Sequence, residues 1–140
     1  MEARSPELGE FERYGDETLV VDADRQVVVV TRALVPWSAE EIEHEQAARN
    51  AIAIRDMADA VQQHMDRIAA ERNYDGIQSA ALRAALPNSP FHTEGVAYGE
   101  WMDACWSHCY QVMADVQGGL REQPSTEELI AELPELVLPV

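Results

Sequence analysis

The chain has 140 residues and a mass of 15.6 kDa, which suits one compact domain, or a small domain with an extended element, and excludes a large multidomain enzyme. Apolar residues make up 46% and charged residues 26%, a globular usage that can build a core without a metal or disulfide as a staple. Twenty-six acids against ten arginines and no lysine give a formal net charge of -16, a field that repels phosphate backbones and anionic membranes and favours basic partners.

Residues 1–70 and 71–140 each carry -8, so no acidic tail stands apart from a neutral body. No apolar run approaches the roughly 18 residues that a membrane span needs, and the N-terminal stretch has no signal-peptide core, so use without secretion is expected. Cys105 and Cys109 lie four apart in a helix-like segment, a spacing that suits reduced thiols better than a disulfide framework.

In chain order, residues 1–17 mix acids, Pro6, Gly9 and Gly15 without a period and read as a loose arm. Two β-branched runs follow, Thr18 to Val21 and Gln26 to Thr31, on either side of Asp22-Ala23-Asp24-Arg25. Short acidic side chains favour a turn there, so a β-hairpin is predicted within residues 18–36. Two strands alone are marginal in water, and the valines, chiefly Val20, Val21, Val28 and Val29, are expected to be covered by a partner.

Ser38 with Glu41 forms a capping-box pattern that opens a helix, and no Pro or Gly interrupts residues 39–72. The helix of residues 37–72 carries Ala47, Ala51, Ile54, Ala58, Val61, Met65 and Ile68 at alternating spacings of four and three. That stripe fits either a coiled-coil seam, and so an oligomer or partner interface, or one amphipathic helix packed on its own domain.

Residues 73–140 read as a separate helical module. A short helix from Ile77 to Leu86 is closed by Pro87, and Phe91 to Gly95 reads as a loop. A helix from about Val96 to Gln117 carries Trp101, Met102, Trp106, Tyr110 and Met113 and stops at Gly118-Gly119, so the core is expected here. Ser125 and Glu128 form a second capping box before a short helix ending at Pro134. The apolar end, Leu136, Val137 and Leu138, must pack on the core or be held by a partner.

Chemistry finds little footing. Cys105, His108 and Cys109 share a helix face with donors that zinc accepts, but a structural zinc needs four ligands and the other histidines are scattered. Acidic neighbours also oppose a reactive thiolate. No phosphate loop, Ser-His-Asp order or calcium loop occurs, so no catalytic residue, metal or cofactor is assigned and the chain is read as a non-enzyme.

The segments Asn73-Tyr74-Asp75-Gly76-Ile77, Pro90 to Gly95, Trp101, Trp106 to Gln117 and Glu128 to Pro134 resemble the C-terminal module of small tail-fibre-associated, assembly-like proteins of tailed bacteriophages and prophages. The first half is similar to the same layout: a strand-rich start, a Trp37-Ser38-Ala39-Glu40-Glu41 helix opening, then a long helix. The resemblance implies a protein that binds a tail-fibre or baseplate protein, as an assembly chaperone or a small tail subunit, in the host cytoplasm during assembly or in the virion tail. The rival reading is an acidic decoy for a host nucleic-acid-binding protein. The expected fold is mainly α with a small β element: an N-terminal hairpin, a long helix and a C-terminal helical module.

Overall fold

The β-branched runs around Asp22 to Arg25 pair as anticipated, and the hairpin they form is longer than the runs themselves. The computed structural model describes residues 2, 3 and 5–140. Strand β1 (Glu2–Ala3), strand β2 (Glu12–Asp22) and strand β3 (Val27–Pro36) make one sheet in the order β1-β3-β2. Strands β2 and β3 are antiparallel, with Asp22 opposite Val27 and Val20 opposite Val29. The turn is fixed by the Arg25 backbone N–H, which donates to Asp22 Oδ1 at 3.1 Å. Gln26 leaves it at φ 54°, in the left-handed region.

Residues 12–17 are therefore strand rather than part of a loose arm. They contain no β-branched run, but pairing supplies what propensity lacks: Glu17 faces Arg32 and forms an ion pair with it, and Tyr14 faces Leu34. Between those pairs Gly15 and Asp16 stand against Ala33 alone, which makes a β-bulge. Strand β1 also leaves the expected arm, running parallel to β3 beside Val29 and Val30. Strand β3 is thus central where β1 covers it, and β2 is an edge.

Ser38 and Glu41 cap helix α1 (Ala39–Ala70) reciprocally: the Glu41 N–H donates to Ser38 Oγ at 3.2 Å and the Ser38 N–H to Glu41 Oε2 at 2.7 Å. The helix gives way to a turn in which Asn73 takes φ 65°, a left-handed conformation that Asn tolerates. Helix α2 (Ile77–Ala81) runs into a 3-10 turn (Leu82–Ala85). Helix α3 (His92–Gln117) starts earlier than expected, within the segment read as a loop. Gly95, expected at the end of that loop, is instead a helical point of close approach: a Cβ there would lie 2.4 Å from the Ala84 nitrogen. Helix α4 (Thr126–Glu132) carries the second capping box as predicted, with the Glu128 N–H donating to Ser125 Oγ at 3.1 Å.

The chain forms two compact units, Met1–Asn50 and Ala51–Val140, and the boundary falls inside α1 rather than near residue 72. In the second unit Met57, Val61, Met65 and Ala69, one α1 row at spacing four, are buried with Ile77, Ala80, Tyr98, Trp101, Cys105, Cys109, Val112, Leu129 and Leu133. Ile54 and Ile68 pack at the margin of this core. The stripe from Ile54 to Ile68 is therefore spent on the chain's own domain, whereas Ala47 is exposed. Val61 and Met65 are wholly enclosed and cannot meet a partner without unfolding the unit. Ala51 is exposed and Ala58 half-buried.

The α3 core face is Tyr98, Trp101, Cys105, Cys109 and Val112. Met102, Trp106 and Met113 pack at its margin, whereas Tyr110 turns outward. Leu136 and Leu138 also pack against the core while Val137 between them is 81% exposed. The indole N–H of Trp101, donating to the Pro134 carbonyl at 2.7 Å, ties the apolar end down.

Candidate protein-binding hairpin

Successive side chains of a strand point to opposite faces of its sheet. Leu19, Val20 and Val21 are consecutive in β2, and they are 63%, 52% and 72% exposed. Strand β2 is consequently open on both faces over this stretch. On one face Leu19 and Val21 lie across from Val30 and Val28, and on the other Val20 lies across from Val29. Val28 is half-buried, and Val29, at 9%, is the one member of the predicted valine set that the first unit encloses. Among the described residues no strand pairs with the outer edge of β2, so its outward N–H and C=O groups remain a template for another strand.

The base of the hairpin is held within the first unit by charge and aromatic contacts. Arg13 donates to Glu41 at 2.7 Å. Glu41 sits below the usual carboxylate range, first because the Ser38 N–H bonds it and then because Arg13 does. Arg49 lies 5.2 Å over the ring of Phe11 and donates to Glu10 at 2.7 Å and Glu45 at 3.0 Å. Phe11 in turn meets Trp37 edge-on at 5.8 Å, and the Trp37 N–H donates to the Phe11 carbonyl at 2.8 Å. An open groove of about 540 Å³ lies here, lined by Arg13, Trp37, Glu40, Glu41, His44 and Glu45. These contacts fix the base and leave β2 uncovered over Leu19, Val20 and Val21.

Of the residues assigned to partner binding from sequence, Val20 and Val21 are presented together on β2, and Val137 is exposed far along the chain. Ile54, Val61, Met65, Ile68, Leu136 and Leu138 belong to the second unit's core or its margin. Leu19 was passed over, although it lies inside the β-branched run that flagged its neighbours. The Trp37 groove was missed because its lining joins Arg13 of β2 to the distant stretch from Trp37 to Glu45.

The thiols of Cys105 and Cys109 are buried, and burial pushes them up, Cys105 to about 11. His108 meets Glu132 at 3.0 Å. Among the described residues no group of three or more His, Cys, Asp or Glu side chains is placed to hold a metal ion, and no helix is long and apolar enough to cross a membrane.

No protein-family model matches the chain, and neither a curated protein nor a solved structure matches it. The fold and the open hairpin therefore stand on the chain's own geometry.

Proposed function

We propose that the chain is a non-enzymatic bacteriophage tail protein that binds a tail-fibre or baseplate protein, acting as a fibre-assembly chaperone or as a small subunit of the tail. The observation that carries the binding role is the run Leu19-Val20-Val21, exposed on both faces of an edge strand. Such a strand can extend a partner's sheet through main-chain hydrogen bonds while its side chains enter pockets on either side. The resemblance of residues 73–134 to tail-fibre-associated proteins supports the choice of partner. An acidic decoy is less well supported, because Glu10, Glu17, Glu41, Glu45, Glu94 and Glu132 are each engaged by an arginine of the chain itself. The working locations are the host cytoplasm during assembly and, for a tail subunit, the virion.

The test is co-purification with the fibre and baseplate proteins of the phage that encodes the chain, comparing wild type with Leu19→Asp and Val21→Asp. Charges buried without partners at a contact cost several kcal/mol, so binding is expected to weaken at least about a hundredfold. The circular dichroism of the variants should stay unchanged, since both side chains face solvent in the free chain. Undiminished binding by both variants would overturn the hairpin as the contact, and no binding by the wild type to any tail protein would overturn the tail reading.

A further inference from the structure

The open edge of β2 carries a charge pattern that bears on which strand can join it. Over Glu12–Asp22 there are four carboxylates, Glu12, Asp16, Glu17 and Asp22, and one guanidinium, Arg13, so the strand carries a formal -3. The ion pairs that leave the strand do not change this sum, because Arg32 against Glu17 is balanced by Glu41 against Arg13.

Pairing β2 with the same strand of a second copy sets -3 against -3. Two copies that use the same edge pair antiparallel only in registers centred on a residue: centred on Leu19, Asp22 of each copy falls opposite Asp16 of the other, and centred on Val20 it falls opposite Thr18, with no cation of the strand opposite an acid. Like charges directly opposite one another destabilise a strand pair. Sliding the register until Arg13 meets Asp22 draws on a guanidinium that Glu41 already holds at 2.7 Å, and, because Gly15 and Asp16 share one position at the bulge, it sets Leu19 opposite Glu17. Parallel in-register pairing stacks every acid on its own duplicate. The same edge is complementary to a strand that alternates apolar residues with lysine or arginine.

We propose that the β2 edge takes a strand of a different, basic chain and turns away copies of itself, an inference that rests on the hairpin being the recognition element. Charge thereby does for an exposed edge what a covering element would otherwise do: it blocks self-pairing and leaves hetero-pairing open.

Two blocked eight-residue peptides of alternating valine, one carrying lysine and the other glutamate at the intervening positions, provide the probes. At low salt the lysine peptide is expected to slow exchange of the outward-facing amides within Thr18 to Val21, every second one, by about tenfold or more. The effect should shrink in about 1 M salt, where charges are screened beyond ~3 Å. The glutamate peptide should leave these amides unchanged, and the chain alone should sediment as a species without β2 pairing. Asp16→Lys combined with Thr18→Lys brings the strand sum to zero. It is expected to lower the lysine peptide's effect several-fold and to permit self-association, with Asp16→Asn as a milder variant should the double one fail to fold.

Equal protection by both peptides, protection by neither, or wild-type self-association through β2 would each overturn the proposal. The two readings fail separately. If a tail protein binds and protects other amides while the lysine peptide has no effect, the edge inference falls and the tail reading stands. If the lysine peptide protects β2 while every tail protein fails to bind, the reverse holds.

Discussion

Tyr98 is the largest fully buried side chain of the second unit, and its hydroxyl finds no hydrogen-bond partner among the described residues. Its ring meets Tyr74 edge-on at 5.6 Å, while Tyr74 directs its own hydroxyl to Glu94 at 3.4 Å. Burial pushes the Tyr98 phenol up, so the group stays protonated and its donor is desolvated without compensation. Leaving a buried polar group unpaired costs about 1–3 kcal/mol. Replacing Tyr98 by Phe keeps the ring contact and removes that cost. Urea denaturation should show Tyr98→Phe to be as stable as wild type or about 1 kcal/mol more stable, and a clear loss would mean that the hydroxyl is satisfied. Gly95 teaches the complementary lesson, since in sequence it ends a predicted loop and in the fold it is where α3 touches the backbone at Ala84. A sequence records that glycine is present; which neighbour demands it is a fact of packing.

Elements were most legible where local chemistry decides them. Both capping boxes lie where Ser38 with Glu41 and Ser125 with Glu128 placed them, because capping needs only residues three apart. Strand limits were less legible, because residues 12–17 are held by partners near Leu34 and Arg32 that their own composition does not announce. The α1 stripe was ambiguous for a physical reason: a spacing of three and four serves a coiled coil and a domain face equally. Helix α3 resolves it by supplying Trp101, Cys105 and Cys109 to the core that Met57, Val61 and Met65 enter.

Helix α4 is clipped in place by Glu132, which accepts from Arg121 at 2.8 Å and 3.0 Å and lies 3.0 Å from His108 Nε2. Arg121 first, and His108 second, hold the Glu132 carboxyl far below its ordinary 4.5, at about 2. A carboxyl depressed in the folded state stabilises above its unfolded value and loses that contribution as pH falls through the folded one. Docking of α4 should therefore weaken from pH 4.5 down to 2, seen as lower protection of the Leu129 and Ile130 amides relative to their intrinsic exchange at each pH. Glu132→Gln should remove that part of the acid dependence while lowering protection at neutral pH. An unchanged acid profile in the variant would show that other carboxylates govern it.

At the scale of the whole chain, the division into Met1–Asn50 and Ala51–Val140 changes where a self-sufficient piece begins. The compositional break at Asn73 marks the end of a helix, not the edge of a core. A fragment of residues 51–140 retains the α1 row of Met57, Val61, Met65 and Ala69 and is expected to fold cooperatively. A fragment of residues 73–140 lacks all four. Removing even one buried Met or Leu side chain costs about 2–5 kcal/mol against a total stability of about 5–15, so the shorter fragment should not show a cooperative melt. Calorimetry on the two fragments decides the matter, and a sharp transition in the shorter one would return the boundary to residue 72.

The bulge at Gly15 and Asp16 also sets which length changes the hairpin can absorb. Deleting a residue elsewhere in a strand sends every side chain beyond it to the opposite face. At the bulge the chain already holds one residue more than its partner strand, so loss of either Gly15 or Asp16 leaves Tyr14 opposite Leu34 and Glu17 opposite Arg32. The strand would straighten and lose local twist, yet no apolar side chain would change sides. Single-residue shortening is therefore cheap at this one point, and the bulge works as a splice where the base of the hairpin can be trimmed without re-aiming Leu19, Val20 and Val21.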